Sequence, residues 1–357
     1  MRIVKYLIPF LLFAGALISY QSSGIYCWLS ILFSFVFVPL AELLLPANPE
    51  NLSEADELKA KQNKAYDVVL YAAFVLQLVC LFVFLRNIAD PTILTVDRVG
   101  RILTCGLLAG IFGINLAHEL GHRVKSYEQN MAKLLLSTSL YMHFFIEHNK
   151  GHHTHVSTPE DPSTAKYQQT LYAFFLQTIP GTYRSAWKIM LHELDKKGKG
   201  FWSFSNEMLL YTLFQLALLL TIYLFFGLDS CLYFVLTAMI GMLLLEAVNY
   251  IEHYGLMREH KENGRFGRVM PVHSWNSNHL LGRILLFELS RHSDHHYSAS
   301  RKYQILRHHE GAPQMPTGYP GMLILALIPP LFFGIMDRQM KYYGVLPKKS
   351  EPLLQSI

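Results

Sequence analysis

The chain has 357 residues, 52% of them hydrophobic and 16% charged, with a mean hydropathy of +0.23, which is too apolar for an ordinary soluble domain. The net charge of +5 comes from scattered residues with no binding motif, so a nucleic-acid partner is excluded. Four cysteines (Cys27, Cys80, Cys105, Cys231) lie inside apolar runs without a C-x-x-C pair, which excludes a zinc ribbon and a disulfide framework.

A spanning helix needs about 20 mainly apolar residues. Six candidates occur, at about 5–20, 24–45, 66–86, 101–118, 208–228 and 230–250. The fold class expected is an all-α membrane protein, one integrated domain over 1–357, with a helical cap on the cytoplasmic side. The first run is not read as a cleaved signal peptide, because a second apolar run follows at once. Residues 46–64 form a polar loop and then a short helix. The fourth and sixth runs continue into polar, histidine-bearing sequence, so both helices should extend beyond the bilayer. Residues 196–200 (KKGKG) read as a flexible basic turn. Residues 322–336 are apolar but contain Pro329-Pro330, which favours a re-entrant or interfacial piece over a seventh span.

Orientation follows from Lys and Arg in the short loops. Arg86 and Arg98 lie on one side. Arg2, Lys5, Lys59, Lys61, Lys64 and the long segments 118–207 and 251–357 lie on the other. Six spans then put both termini and both long segments in the cytoplasm of a multi-pass inner-membrane protein.

Nine of the seventeen histidines cluster on that same face, although the topology is drawn without them. His118 and His122 stand four apart in HELGH. His148, His152 and His153 follow in EHNKGHH. His292, His295 and His296 lie in RHSDHH, and His253 stands alone in NYIEHYGL. Residues at i and i+4 share a helix face, so both imidazoles of such a pair can reach one ion. Adjacent histidines on a helix point about 100° apart and can serve two ions. Neutral imidazole is the commonest metal-ligand side chain, and nine are too many for one ion, so two metals are expected. His253 is the weakest ligand on spacing alone. His143, His155, His192, His260, His273, His279, His308 and His309 read as ordinary surface or core residues. Glu119, Glu147, Asp161, Glu252 and Asp294 lie within or beside the clusters and are expected to orient the ligating rings through their outer N–H, with a metal-bridging carboxylate as the alternative.

HELGH also matches H-E-x-x-H, the zinc protease signature with Glu119 as base. A protease has no use for the other clusters, however. A histidine-rich transporter would carry its histidines at mid-bilayer depth, where the spans are nearly free of them. Zinc has no redox chemistry, whereas iron with open positions activates oxygen. Spacing and composition thus point to a membrane-bound, oxygen-using di-iron enzyme and leave hydroxylation and desaturation undecided.

HELGH, EHNKGHH with its continuation THVSTPEDP (154–162), NYIEHYGL and RHSDHH closely resemble the motifs of bacterial alkane 1-monooxygenases. The resemblance covers about 114–303. The histidine boxes are shared with membrane fatty-acid desaturases, while NYIEHYGL and the GHH-to-PEDP stretch are more specific to the alkane enzymes. It implies six spans and two non-haem irons held by His118, His122, His148, His152, His153, His253, His292, His295 and His296, with no flavin or haem. His253 becomes a ligand through the resemblance only. The implied reaction is terminal hydroxylation of n-alkanes with O2 and two electrons. The implied donor is rubredoxin with its NAD(P)H-dependent reductase. With no C-x-x-C pair here, rubredoxin must be a separate chain. Rubredoxins are acidic, so Lys150, Arg291, Arg301, Lys302 and Arg307 are expected to offer its docking site. The substrate is expected to enter from the membrane lipids into a narrow tunnel, with Trp28, Phe33 and Phe35 as bulky candidates for plugging it.

Overall fold

The computed structural model describes residues 3–262 and 264–346, so Arg2 and the last eleven residues of the expected cytoplasmic tail lie outside the described residues. Among the described residues the chain is helical, with two isolated bridges and no strand. Four helices are long and apolar enough to cross a membrane: α2 (Gly24–Leu44), α4 (Ala65–Asn87), α5 (Thr95–Gly121) and α9 (Glu207–His253). A shorter apolar helix, α1 (Val4–Ser19), precedes them. α9 has 47 residues, about 70 Å at 1.5 Å per residue, more than twice a bilayer's hydrocarbon thickness. It is in fact two limbs, because Gly227 takes φ 82° and ψ 175°, a conformation open to glycine. The sequence reading put this break at Asp229, two residues later.

Burial sorts these helices. The apolar window of α5 is 83% buried, against 28% for α2, 39% for α4 and 44% for α9, so α5 is the central helix and the others turn apolar side chains outward. α5 and α9 meet through small residues, as packed membrane helices do. A Cβ on Gly106 would stand 2.4 Å from Ile240, one on Gly110 2.8 Å from Leu244, and one on Gly241 2.8 Å from Ala109. This close approach brings the C-terminal ends of α5 and α9 side by side, and both ends carry histidine.

Shorter helices cap that end. α3 (Glu54–Gln62) is N-capped by Ser53, whose Oγ accepts from the Asp56 N–H at 3.2 Å. α6 (Ser126–Ser137) returns from α5. α7 (144–155) contains a π-turn over Glu147–His152. α8 (Leu171–Lys196) packs on α7 and α9. α10 (Leu280–Leu285) and α11 (His292–Tyr297) follow. The apolar stretch 322–336 is not one element: it splits into α12 (Tyr319–Ala326) and α13 (Pro329–Tyr342), and Pro329 and Pro330 open the second helix, where no N–H is missed.

Candidate metal centre

Four helices deliver the nine clustered histidines to one buried region. α5 brings His118 and His122, α7 brings His148, His152 and His153, α9 ends on His253, and α11 brings His292, His295 and His296. α11 is aimed by its flanks. Ser293 N donates to Asn276 Oδ1 at 2.7 Å, and Ser293 Oγ donates to the Ser274 carbonyl at 2.8 Å. Trp275 ties that loop to the end of α9, its Nε1 donating to the Tyr254 carbonyl at 2.9 Å. Phe287 and Glu288 take left-handed backbone conformations just before α11. Glu288 is held there by Arg283, Lys5 and Tyr6.

The donor atoms fall into two groups, each within 4.8 Å. One is His118, His122, His148, His153 and His295. The other is His152, His253, His292 and His296. Nε2 atoms face each other at 2.9 Å (His118–His295), 3.0 Å (His148–His153), 3.1 Å (His153–His295), 3.1 Å (His253–His292) and 2.9 Å (His292–His296). Two nitrogens bound at right angles to one ion at about 2.1 Å stand about 3.0 Å apart, so these spacings are those of neighbouring ligands. His122 Nε2 and His152 Nε2 are buried with no hydrogen-bond partner among the described residues. A buried polar atom without a partner is costly, and a cation at each group would satisfy it. The donor set therefore fits two metal ions.

The grouping differs from sequence spacing. His148 and His152, four apart, separate, while His148 joins His153, five apart. The π-turn is the cause, since an i→i+5 turn brings i and i+5 onto one face. On α11, His292 pairs with His296, and His295 turns to the other group.

The electrostatics favour ligand chemistry. Burial, with repulsion from neighbouring rings, pushes His122, His148, His153, His292, His295 and His296 well below the ordinary imidazole range. Neutral imidazole is the form that binds metal. His152 differs: burial lowers it too, but Asp161, with Glu147 and Glu252, outweighs burial and raises it.

The five carboxylates divide. Asp161 does what the sequence suggests: its Oδ2 accepts from His152 Nδ1 at 3.0 Å and from Thr164 Oγ1 at 2.6 Å. Glu252 lies against the centre itself, with Oε2 3.2 Å from His292 Nε2 and Oε1 accepting from Tyr319 Oη at 2.7 Å. It thus meets the inward nitrogen and does not orient the outer one. Glu119 and Asp294 touch none of the nine rings through a hydrogen bond, which corrects the expectation for them. Each sits about 100° round its helix from the nearest histidine and points away. Glu119 accepts from Arg123 Nη2 at 2.7 Å and from Tyr303 N at 3.2 Å. Asp294 accepts from His309 Nε2 at 2.8 Å and from Arg307 N at 2.9 Å. Glu147 turns to α8, where Ser185 Oγ donates to it at 3.3 Å. Tyr319 and Arg123 carry no motif and were not singled out from sequence.

The expected basic docking residues fare unevenly. Arg291 is buried, donating to the carbonyls of Glu50 at 2.7 Å and Leu306 at 2.8 Å, so it offers no surface charge. Lys150 pairs with Glu193, Arg301 and Arg307 with Glu57, and Lys302 with Asp67.

Beside the centre lies a small apolar cavity of about 50 Å³, lined by Phe35, Ile111, Leu245, Val248, Leu285 and Leu323 among others. Its lining includes Asn115, Val248 and Leu289, which precede His118, His253 and His292 by three to five residues. Of the three bulky residues singled out on α2, Phe35 lines the void. Trp28 packs over Gly100 and Phe33 stacks on Phe37.

A family model described as fatty acid desaturase matches residues 99–324. The chain is 41% identical to alkane 1-monooxygenase 2 of Pseudomonas aeruginosa over 88% of this chain and 84% of that one. It is 37% identical to alkane 1-monooxygenase 1 of Alcanivorax borkumensis over 90% of this chain and 79% of that one. It is 31% identical to the xylene/toluene monooxygenase hydroxylase component XylM of Pseudomonas putida over 67% of this chain and 63% of that one.

Proposed function

The chain belongs to the fatty acid desaturase family, among its alkane 1-monooxygenases, and on that premise we propose that it hydroxylates the terminal methyl of n-alkanes. The net reaction is R–CH3 + O2 + 2e⁻ + 2H⁺ → R–CH2OH + H2O. One observation carries the reading: two groups of imidazoles, most of them buried and each group within ligating distance, lie beside a cavity with an almost wholly apolar lining.

The two ions are iron, held by His118, His122, His148, His153 and His295 in one group and by His152, His253, His292 and His296 in the other. Reductive activation of dioxygen is the chemistry such an iron pair supplies when bound. The protein's own part is positioning and exclusion. Phe35, Val248 and Leu323 line the cavity without a polar contact, so a chain entering from the lipid exchanges one apolar surrounding for another and is selected by fit. The narrow lining presents the chain end, which sets terminal against subterminal attack, since methyl C–H bonds are the harder to break. Asp161 fixes the tautomer of His152, leaving its Nε2 free to ligate. Glu252, held by Tyr319, lies against the inward nitrogen of His292 and is placed to reach an ion directly. Glu119 stays locked on Arg123, away from the centre, which disfavours a zinc protease.

The chain crosses the inner membrane six times, counting α1 and the two limbs of α9, with the histidine end in the cytoplasm. Electrons come from a separate rubredoxin and its NAD(P)H-dependent reductase. The test is to feed octane or hexadecane to membranes supplied with donor proteins and O2. Primary alcohols are expected, and two irons per purified chain. Subterminal alcohols or alkenes would refute the terminal reading, and one zinc without iron would refute the metal.

A further inference from the structure

α8 buries one edge against the core through Phe174, Thr178, Thr182 and Ala186. A second apolar edge is left uncovered: Tyr172, Leu176, Tyr183 and Leu191 recur at helical spacing, and Leu176 is 80% exposed. The helix closes on Gly198 at φ 61°, where Lys199 N donates to the Leu194 carbonyl at 2.9 Å in a Schellman-type end. The turn that follows is built, not loose. Asn206 Nδ2 donates to the Phe201 carbonyl at 2.9 Å, and Asn206 Oδ1 caps α9 by accepting from Leu209 N at 3.2 Å. Phe201 stacks on Trp187 with ring centres 5.7 Å apart. This turn holds Trp202 82% exposed and Phe204 91% exposed, three residues before α9 begins.

Exposed aromatics on an ordered turn beside the start of a spanning helix belong at the lipid interface, where amphipathic rings are favoured. The charge beside them is predominantly positive. Arg184, Lys188, Lys196, Lys197 and Lys199 face outward against Asp195 and Glu193, and Glu193 is taken by Lys150. We infer that α8 and the turn 196–204 form an interfacial anchor that seats Trp202 and Phe204 among the lipids and binds anionic phospholipid headgroups through Lys196, Lys197 and Lys199. The anchor has a route to the metal centre, because α8 also supports α7 through Glu193–Lys150 and Ser185–Glu147. It rests on the reading of α9 as membrane-spanning.

The test uses the full chain in phosphatidylcholine nanodiscs with and without phosphatidylglycerol, the acyl chains brominated near the headgroup. The difference between wild-type and Trp202→Phe fluorescence reports Trp202 alone. Its emission is expected to be quenched. Native mass spectrometry then gives the ratio of bound phosphatidylglycerol to phosphatidylcholine for wild type and for Lys196→Gln/Lys197→Gln/Lys199→Gln. Each lysine near an anionic surface is worth about fivefold, and with salt screening the triple variant should lower the ratio about tenfold. All four substituted side chains are exposed, and an unchanged melting curve confirms folding. A chain that fails to enter nanodiscs refutes the membrane reading. A chain that enters with Trp202 unquenched, or with an unchanged lipid ratio in the triple variant, overturns the anchor. So does an unchanged ratio with weakened binding of an acidic donor protein, which would assign the lysines to a protein contact.

Discussion

Asp161→Asn should cost the centre one of its two ions and spare the other. Asp161 is buried and accepts three hydrogen bonds, from His152 Nδ1 at 3.0 Å, Thr164 Oγ1 at 2.6 Å and Ser163 N at 3.0 Å. Asparagine keeps the shape but replaces one acceptor oxygen with an NH2 group. With the NH2 at the Oδ2 position both Thr164 and His152 face a donor, and with it at the Oδ1 position Ser163 N does; a buried group left unpaired costs about 1–3 kcal/mol. If His152 flips its tautomer to escape, its proton moves to Nε2, the nitrogen meant for the metal. Loss of such an orienting partner costs about 10–100-fold in metal affinity, which is about 1.4–2.8 kcal/mol and agrees with the first estimate. His152 belongs only to the four-histidine group. Competition with a calibrated chelator should therefore show one site weakened 10–100-fold and the five-histidine site within about threefold of wild type. Equal weakening of both sites, or of neither in a variant with an unchanged melting temperature, would refute the reasoning.

Val248→Phe fills part of the cavity; an overpacked contact costs about 1–3 kcal/mol, so kcat/KM for long alkanes should fall at least about fivefold relative to short ones, measured as a product profile across chain lengths. Glu119→Gln should keep turnover per bound metal but lower stability by about 1–3 kcal/mol, because the buried Arg123 loses one charged partner and keeps Asp67 at 3.0 Å; a variant with normal melting but no turnover would contradict this. Burial alone would raise the Glu288 carboxyl, but Arg283, Lys5 and Arg291 outweigh it and hold it down at about 2. A depressed carboxyl contributes stability above its unfolded value near 4.5, and this is lost as pH falls from there towards 2. Wild type should melt progressively earlier over that window, whereas Glu288→Gln should start lower by up to about 3 kcal/mol and show a shallower acid slope.

The spacing of histidines made the centre legible, and the reason is physical. Metal ligands on helices must recur at one turn, and HELGH and RHSDHH do so within six residues. The partition was not legible. Nothing in EHNKGHH announces a π-turn, yet that turn decides that His148 joins His153 and leaves His152 to the other ion. His253 was weak on spacing because its neighbours in space, His292 and His296, come about forty residues later. Glu119 and Asp294 looked like orienters by proximity in sequence, but one residue along a helix is a large rotation away in space. Arg291 looked like surface charge because a guanidinium usually is; here it is spent on loop carbonyls. The apolar runs were read well as helices, although the break in α9 fell at Gly227 and not at the nearby charge.

The distribution of ligands along the chain also dictates the timetable of biogenesis. The five-histidine group waits for His295 and the four-histidine group waits for His292 and His296, and all three lie on α11. Neither nest is complete when α5, α7 or even α9 has left the ribosome and entered the lipid. Until α11 docks, His118 and His122 are an unfinished pair at the end of the central helix, free to capture whatever divalent ion is abundant. Metal loading is thus a late event of synthesis, and a chain truncated anywhere before His292 would insert its apolar helices and yet never own a finished site.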